Sequence, residues 1–342
     1  MASPRVATDV GREGREEIID PSLPIIDPHH HLGHRPNARY LLEEFLQDVG
    51  GGGHDIRATV YIECDSMYRR DGPGSMRPVG EIEFASGVAA MSASGIYGPT
   101  RVCAGIVGYA DLRLGPAVEE VLVAHIRASG GRLRGIRQAA AWDAHNNLST
   151  RRDRVPNLLG GTAFRAGFAK LTEADLVYDS WQYHPQLPEV TDLARAFPGT
   201  TIVVNHVGGP VGVGTYAGKR KEIFAVWKAS MRELSCCPNV YVKLGGLGEP
   251  LCGFGFDRSA RSPSSDELAA AWRPYLETCI ELFGPNRSMF ESNFPADKVS
   301  CGYDALWNAF KKVAACCSAE EKGALFSTTA ARVYRLAIKQ TP

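Results

Sequence analysis

One pattern of hydrophobic and polar positions repeats down the chain: a short run rich in Val and Ile, a loop, and a segment with apolar residues three and four apart. The short runs are typical of buried strands, and the longer segments are typical of amphipathic helices. The pattern predicts eight strands: Pro24–His29, Ile56–Glu63, Arg101–Val107, Leu133–Arg137, Asp175–Tyr183, Thr201–His206, Val240–Leu244 and Ser288–Glu291. Helices are predicted at about 39–48, 78–95, 115–129, 162–172, 188–197, 219–235, 265–283 and 303–316, with a last one at about 319–337.

Two predicted helices carry clear start signals. Ser264 stands before the helix that begins near residue 265, and acidic residues follow in its first turn. Ser318 stands three residues before Glu321, which is the spacing of a capping box. These signals support the helix positions that the periodicity gives.

Strict alternation of strand and helix predicts a parallel sheet, and eight such units predict a single-domain (β/α)₈ barrel over residues 24–342. Residues 1–23 are expected to form an N-terminal arm, loose or in contact with another copy. The alternative is an open doubly wound sheet, which would favour a glycine-rich phosphate loop after the first strand. Histidines stand there instead.

The charge balance excludes one class of function. The 342 residues include 38 basic and 38 acidic side chains, so the formal net charge is zero. A nucleic-acid binder needs a basic surface, so no nucleic-acid partner is expected. The stretch from Phe84 to Thr100 is too weakly apolar to predict a membrane span, and no signal peptide is visible. Nine cysteines without a CxxC spacing are typical of a reduced, cytoplasmic chain.

Histidines stand at the ends of three predicted strands. His29 and His31 are two residues apart and share one face of their strand. His206 and His184 end or follow buried strands in the same way. Because strand ends meet at one rim of a barrel, these imidazoles could bind a divalent metal, donate hydrogen bonds or, as the alternative, serve only structural roles.

Charged groups stand at the ends of other strands. Arg137 could clamp a substrate carboxylate, or pair internally with Glu63, which could equally be a base or a metal ligand. Lys243 could face the pocket. After the eighth strand, Glu291 and Asp297 are the nearby carboxylates, and Asn293 can hydrogen-bond but cannot abstract a proton.

Two long loops, about 138–160 and 245–264, are expected on the catalytic face of the barrel. Trp142 and Tyr183 are candidates for contact with a flat substrate, as are Phe254 and Phe256 in the second loop. The alternative is that these aromatic side chains only pack against the protein.

Five motifs together resemble the amidohydrolase-2 (amidohydrolase-related) family, in the same order along residues 24–337. They are Ile-Ile-Asp-Pro-His-His-His, Tyr-His-Pro-Gln-Leu-Pro, Val-Asn-His-Val-Gly-Gly-Pro, Val-Lys-Leu-Gly-Gly-Leu and Met-Phe-Glu-Ser-Asn-Phe-Pro-Ala-Asp-Lys. The resemblance implies a (β/α)₈ barrel, lactone hydrolysis or aromatic-acid decarboxylation, a homodimer, and a divalent metal, with zinc expected, at His29, His31 and His206. Asn293 stands where that family usually carries an Asp that binds the metal and moves the proton.

The leading hypothesis is therefore a hydrolase that opens a lactone, or a related cyclic ester or amide, of an anionic small molecule. Asp297 or Glu63 would activate water, with His206 and His184 beside them. The substrate would contact Arg137, Trp142, Tyr183, Lys243 and Asn293. The alternatives are a metal-dependent decarboxylase of an aromatic or enol acid and, because of Asn293, a barrel that only binds a ligand.

Overall fold

The computed structural model describes residues 16–35, 38–144, 148 and 155–337. Eight parallel strands form one nearly closed barrel in chain order, interrupted only by a small hairpin after the first strand. The strands are β1 (Ile25–His30), β2 (Gly33–Arg35) and β3 (Ala38–Tyr40) of the hairpin, β4 (Ile56–Ile62), β5 (Arg101–Gly108), β6 (Leu133–Arg137), β7 (Val177–Ser180), β8 (Ile202–Val204), β9 (Val240–Leu244) and β10 (Ser288–Phe290).

Two backbone hydrogen bonds join the last strand region to the first. His31 N–H donates to the Phe294 carbonyl at 2.8 Å, and Asn293 N–H donates to the His29 carbonyl at 2.9 Å. Within this seam, the Asp27 carboxylate accepts the Ser292 N–H at 2.9 Å. The predicted (β/α)₈ barrel is confirmed, and the closure places the residues after β10 directly beside β1.

Helices follow the barrel strands at the predicted places, and their bounds differ by a few residues. They are α1 (Leu42–Gly52), α2 (Val79–Ala93), α3 (Val118–Ala128), α4 (Thr162–Glu173), α5 (Leu187–Ala196), α6 (Arg220–Ser235), α7 (Ser265–Phe283), α8 (Tyr303–Val313), α9 (Ala319–Gly323) and α10 (Thr329–Val333). The capping box predicted at Ser318 forms, and the cap predicted at Ser264 is also a capping box, with Glu267. The predicted last helix is divided, because the π-helical turn Ala324–Thr328 separates α9 from α10.

The C-terminal segment fills the lower end of the barrel, which is opposite the end where the strands finish. Ala330, Val333, Tyr334 and Leu336 pack in one buried cluster with side chains from the strand interiors, among them Ile26. A second and larger cluster lies between the strands and the surrounding helices. The lower end is therefore packed with apolar side chains, and the polar groups collect at the ends where the strands finish.

The part of the predicted arm that the structure describes is anchored to the barrel. Ile19 N–H donates to the Asn308 side chain at 3.0 Å, and the Lys311 ammonium donates to the carbonyls of Ile19 and Asp20 at 2.7 and 2.8 Å. Residues 1–15 lie outside the described residues, so the boundary at residue 23 stays a prediction. In the part of the chain that is described, no helix combines the length and apolar character needed to cross a bilayer.

Candidate active site

The predicted histidine pair lies at the end of β1. His29 Nε2 and His31 Nε2 are 3.3 Å apart, and His29 is fully buried. His31 Nδ1 lies 2.8 Å from the Ile62 carbonyl oxygen, which can only accept. His31 therefore carries a proton on Nδ1, and a neutral His31 presents the lone pair of Nε2 to His29.

Glu291 joins this pair to His206. Its Oε1 lies 2.7 Å from His206 Nδ1, and its Oε2 lies 2.8 Å from His29 Nδ1. The rings of His29 and His206 are 4.5 Å apart between centroids. Ligand atoms of His29, His206 and Glu291 all lie within 4.8 Å of one another. Glu291 directly follows β10, so its place at a strand end was the signal that could have selected it over Asp297.

Two buried ion pairs flank His29. Arg137 Nε donates to Glu63 Oε1 at 2.7 Å, and Lys243 Nζ donates to Asp179 Oδ2 at 2.6 Å. Arg137 Nη1 also lies 3.3 Å from His29 Nε2, and Lys243 Nζ lies 3.2 Å from His29 Nδ1. The internal Arg137–Glu63 pair, left open by the sequence, is confirmed, whereas substrate contacts of Arg137 and Lys243 stay predictions.

Burial lowers the pKa of His29 well below its usual range, and the Lys243 ammonium is the next largest cause. The ring is therefore neutral near pH 7 and can act as a ligand or a hydrogen-bonding group.

The charges of the site suit a cation. Arg137 is neutralised by Glu63, and Lys243 is neutralised by Asp179, which leaves Glu291 as a further buried carboxylate whose close neighbours are imidazoles. Its Oε2 forms no well-aligned hydrogen bond among the described residues. A buried carboxylate oxygen without such a partner is costly unless a cation compensates it. Two imidazoles and one carboxylate are ligands that zinc accepts, so the residues present fit a divalent metal.

A second group of polar side chains lies beside the first. The Asn293 amide donates to Asp297 Oδ1 at 2.8 Å and to Glu249 Oε1 at 3.0 Å, and Asp297 Oδ2 accepts the Gly248 N–H at 2.8 Å. Burial raises the pKa of Asp297 well above its usual range, and the charge of Glu249 raises it further. Asn293 therefore binds two acids, of which only Asp297 is predicted from the sequence as a site residue.

A glycine-rich loop packs against both groups. A Cβ at Gly245 would lie 2.6 Å from Glu291 Cγ, one at Gly246 would lie 2.3 Å from the His206 ring, and one at Gly248 would lie 2.7 Å from Asp297 Oδ2. Gly246 also has φ +67°, which glycine adopts without strain. The loop can approach these three side chains so closely only because it lacks Cβ atoms here.

Aromatic residues and His184 form a third group. The Trp181 ring is edge-on to His206 at 4.6 Å and lies 5.9 Å from Tyr183. His184 Nδ1 accepts the Val211 N–H at 3.3 Å, and burial lowers the pKa of His184 to about 4. Trp142 is held by Gln186, whose amide donates to the Trp142 carbonyl at 3.0 Å.

Trp181 is half-buried and next to His206, whereas the sequence predicts only the nearby Tyr183 and His184 as site residues. The first of the two predicted long loops, at about 138–160, is described only in part. The residues outside the description are 145–147, which include His145, and 149–154.

Taken together, the barrel and the histidine–carboxylate centre at its strand ends define an enzyme of the hydrolase type. The chain belongs to the amidohydrolase family, whose model matches residues 26–336. The resemblance predicted from the motifs is thereby confirmed.

Several relatives are similar over much of their length. An uncharacterised protein, y4mH, of Sinorhizobium fredii is 33% identical over 92% of this chain and 99% of that protein. An L-fucono-1,5-lactonase of Burkholderia multivorans is 30% identical over 68% of this chain and 72% of that enzyme. The crystal structure of an amidohydrolase from Burkholderia multivorans with bound zinc matches with a TM-score of 0.69 and 27% identity, covering 91% of this chain and 99% of the other. The family and this zinc-bound relative support a divalent metal in the chain described here.

Proposed function

We propose that this chain is a zinc-dependent lactonase that opens an uncharged, hydroxyl-bearing lactone with water. The observation that carries the proposal is the buried Glu291 carboxylate between His29 and His206 at the strand ends of the barrel. Lactone hydrolysis is supported by family membership and by the relative named L-fucono-1,5-lactonase.

His29, His206 and Glu291 would hold the metal, with His31 beside His29. A bound zinc ion supplies polarisation of the ester carbonyl and lowers the pKa of a bound water. Glu291 supplies the negative charge that makes this buried position favourable for a cation, since the other two carboxylates are paired.

Asp297 is proposed to carry the proton. Its raised pKa makes the carboxyl a stronger base once it is ionised, and the Asn293 amide, which donates to both Asp297 and Glu249, holds the two acids in place. Asp297 would take a proton from water as the water oxygen bonds to the carbonyl carbon. It would return that proton to the ring oxygen when the carbon–oxygen bond of the lactone breaks.

The paired cations favour an uncharged substrate. The expectation of an anionic substrate depended on Arg137, yet its guanidinium already binds Glu63, and the Lys243 ammonium already binds Asp179. Breaking either buried pair to bind a substrate carboxylate would cost several kcal/mol. A sugar-type lactone needs only hydrogen bonds and an apolar surface for its C–H faces. This surface and these hydrogen bonds would come from Trp181, Tyr183, His184 and Trp142.

The test compares a neutral aldono-1,5-lactone with a carboxylate-bearing lactone of the same ring size, by proton release from the zinc-loaded full chain. We expect the neutral lactone to show the higher kcat/KM, and chelation to abolish turnover until zinc is restored. A zinc-loaded protein that opens neither lactone would contradict the proposal. Release of CO₂ from an aromatic acid by the same preparation would favour the alternative, decarboxylation.

Two variants separate the proposed roles. Glu291→Gln should lose zinc and activity together. Asp297→Asn should keep zinc and lose roughly 100-fold or more in kcat, in line with the loss of a general base. Asp266→Asn, at an exposed acid on α7, is the control and should keep both. An Asp297→Asn variant with unchanged kcat would exclude Asp297 as the proton carrier.

We further propose that the chain acts in the cytoplasm as a homodimer that does not bind nucleic acid. All nine cysteines are free, and the formal net charge is zero, which supports a reducing compartment and disfavours phosphate binding. Sedimentation of the purified chain, with and without duplex DNA, checks the oligomeric state and the last point.

A further inference from the structure

A buried polar network lies on the inner side of His29, inside the barrel. The Asp179 carboxylate accepts from the Lys243 ammonium at 2.6 Å, from the Asn205 amide at 3.0 Å and from the Tyr334 hydroxyl at 2.9 Å. None of these four side chains has exposed surface. The same ammonium lies 3.2 Å from His29 Nδ1, so the network ends on the ring at the centre of the active site.

Tyr334 enters this network from the opposite end of the barrel. It directly follows α10, and its ring packs in the apolar cluster that fills the lower barrel. Its hydroxyl lies 2.9 and 3.1 Å from the two Asp179 oxygens, and the Lys243 ammonium lies 5.2 Å from the centre of its ring. A tyrosine whose hydroxyl has a buried carboxylate partner is placed for hydrogen bonding as well as for packing.

We infer that Tyr334 is a positioning residue of the active site, through which the C-terminal segment holds Asp179 and Lys243 and thereby orients His29. The inference rests on the proposed metal centre for its effect on zinc, but its effect on the His29 ring does not require the metal. Tyr334 itself is not one of the residues that would hold the metal.

Three side chains donate hydrogen bonds to the Asp179 carboxylate. A buried carboxylate is stabilised by each hydrogen bond that it accepts, and here one of the three donors, Tyr334, comes from the C-terminal segment that follows the last barrel strand. Without the tyrosine hydroxyl, the carboxylate and the ammonium bound to it have a wider range of positions. Groups that orient a metal-binding histidine through its second nitrogen typically contribute 10–100-fold to metal affinity.

The test compares Tyr334→Phe with Tyr241→Phe in the full chain. Tyr241 packs against the same apolar cluster, and its hydroxyl makes no hydrogen bond to any residue that the structure describes, so it is a matched control. Long-range ¹H–¹⁵N spectra of the metal-free chain report the imidazole of His29, and competition with a chromogenic chelator gives the zinc affinity.

We expect Tyr334→Phe to shift or broaden the His29 ring signals and to weaken zinc binding roughly tenfold, whereas Tyr241→Phe leaves both as in the parent chain. Turnover should fall in kcat with little change in KM. Unchanged His29 signals and zinc affinity in a folded Tyr334→Phe protein would overturn the inference, even if its Tm were lower. A parent chain that binds no zinc and opens no lactone would overturn the proposed function instead, and the His29 signals would still decide the role of Tyr334.

A second variant covers the case in which Tyr334→Phe does not fold. Replacing the inner pair together, Asp179→Asn with Lys243→Met, avoids leaving one buried charge alone. The double variant should show the same changes at His29 and at least a tenfold loss of zinc affinity. His29 signals and zinc affinity at parent values in this variant would also overturn the inference.

Discussion

Glu63→Gln tests whether the Arg137–Glu63 pair is a structural unit of the site. The two side chains are buried, with 4% and 0% of their surfaces exposed, and the Nε–Oε1 distance is 2.7 Å. Arg137 also donates to the Glu63 backbone carbonyl. The substitution removes the negative charge, nearly preserves the side-chain shape, and leaves the guanidinium buried without its counter-charge.

The expected cost follows from this burial. Removing one partner of a buried ion pair typically costs about 3–5 kcal/mol, because the remaining charge is uncompensated. With an unfolding entropy of about 2.1 cal/mol/K per residue, a chain of 342 residues loses about 1.4 °C of Tm per kcal/mol. Glu63→Gln should therefore lower Tm by about 4–7 °C.

The assay is urea and thermal unfolding of the metal-free chain at pH 7, with two comparison variants. Glu63→Gln combined with Arg137→Met removes both charges and should recover much of the loss. Glu233→Gln breaks the exposed pair with Arg195, in which 60% and 54% of the side-chain surfaces are accessible, and should cost less than about 1 kcal/mol.

A cost below about 1 kcal/mol for Glu63→Gln would refute the reasoning, because solvent or another group would then be compensating Arg137. A double variant less stable than Glu63→Gln alone would refute it as well. Either result would restore Arg137 as a group available to a substrate carboxylate.

Three further predictions concern other parts of the barrel. Burial raises the pKa of Glu81 from its ordinary value of 4.5 to about 8, so the folded chain keeps this proton at pH values where the unfolded chain has lost it, and Glu81 lowers stability as pH rises from about 4.5 to 8. The urea midpoint of Glu81→Gln should therefore exceed that of the parent by more at pH 8 than at pH 5. An equal difference at both pH values would contradict the shift. Gly246→Ala should lower kcat/KM roughly 100-fold by displacing His206. Gly255→Ala introduces similar backbone strain but has open space around it, so its kcat/KM should stay at the parent value. Equal losses in the two variants would attribute the effect to strain alone. Trp181→Ala should raise KM for a neutral lactone roughly tenfold, and an unchanged KM would remove Trp181 from the substrate contacts.

For two strands, the local pattern of hydrophobic residues was sufficient to predict both ends. The predicted bounds of β6 and β9, Leu133–Arg137 and Val240–Leu244, are those observed. The strand predicted to reach Tyr183 ends at Ser180 instead. The Trp181 carbonyl accepts a hydrogen bond from Ala140 N–H at 2.8 Å, a partner on a different loop that no local pattern reveals.

Site residues could be predicted from the sequence where they stand at the end of a strand. His29, His31 and His206 come together because parallel strands in a barrel end at one rim. The same rule places Glu291 at the rim, whereas the position of Asp297 was not predictable, because it depends on how the chain turns after β10, where Asn293 has φ +54°. Asp179 had a sequence signal, a carboxylate inside a buried strand, but its partners could not be identified from it.

The sequence by itself determined the order of eight strand–helix units, the helix caps and the rim on which the histidines meet, because these follow from local periodicity and from chain connectivity. Tertiary structure alone decided which charges pair. Arg137 meets Glu63 across 74 residues and Lys243 meets Asp179 across 64, and such partners are selected by burial, where an unpaired charge is costly. The same burial gives Tyr334, from the end of the described chain, a hydrogen bond to the network beneath His29.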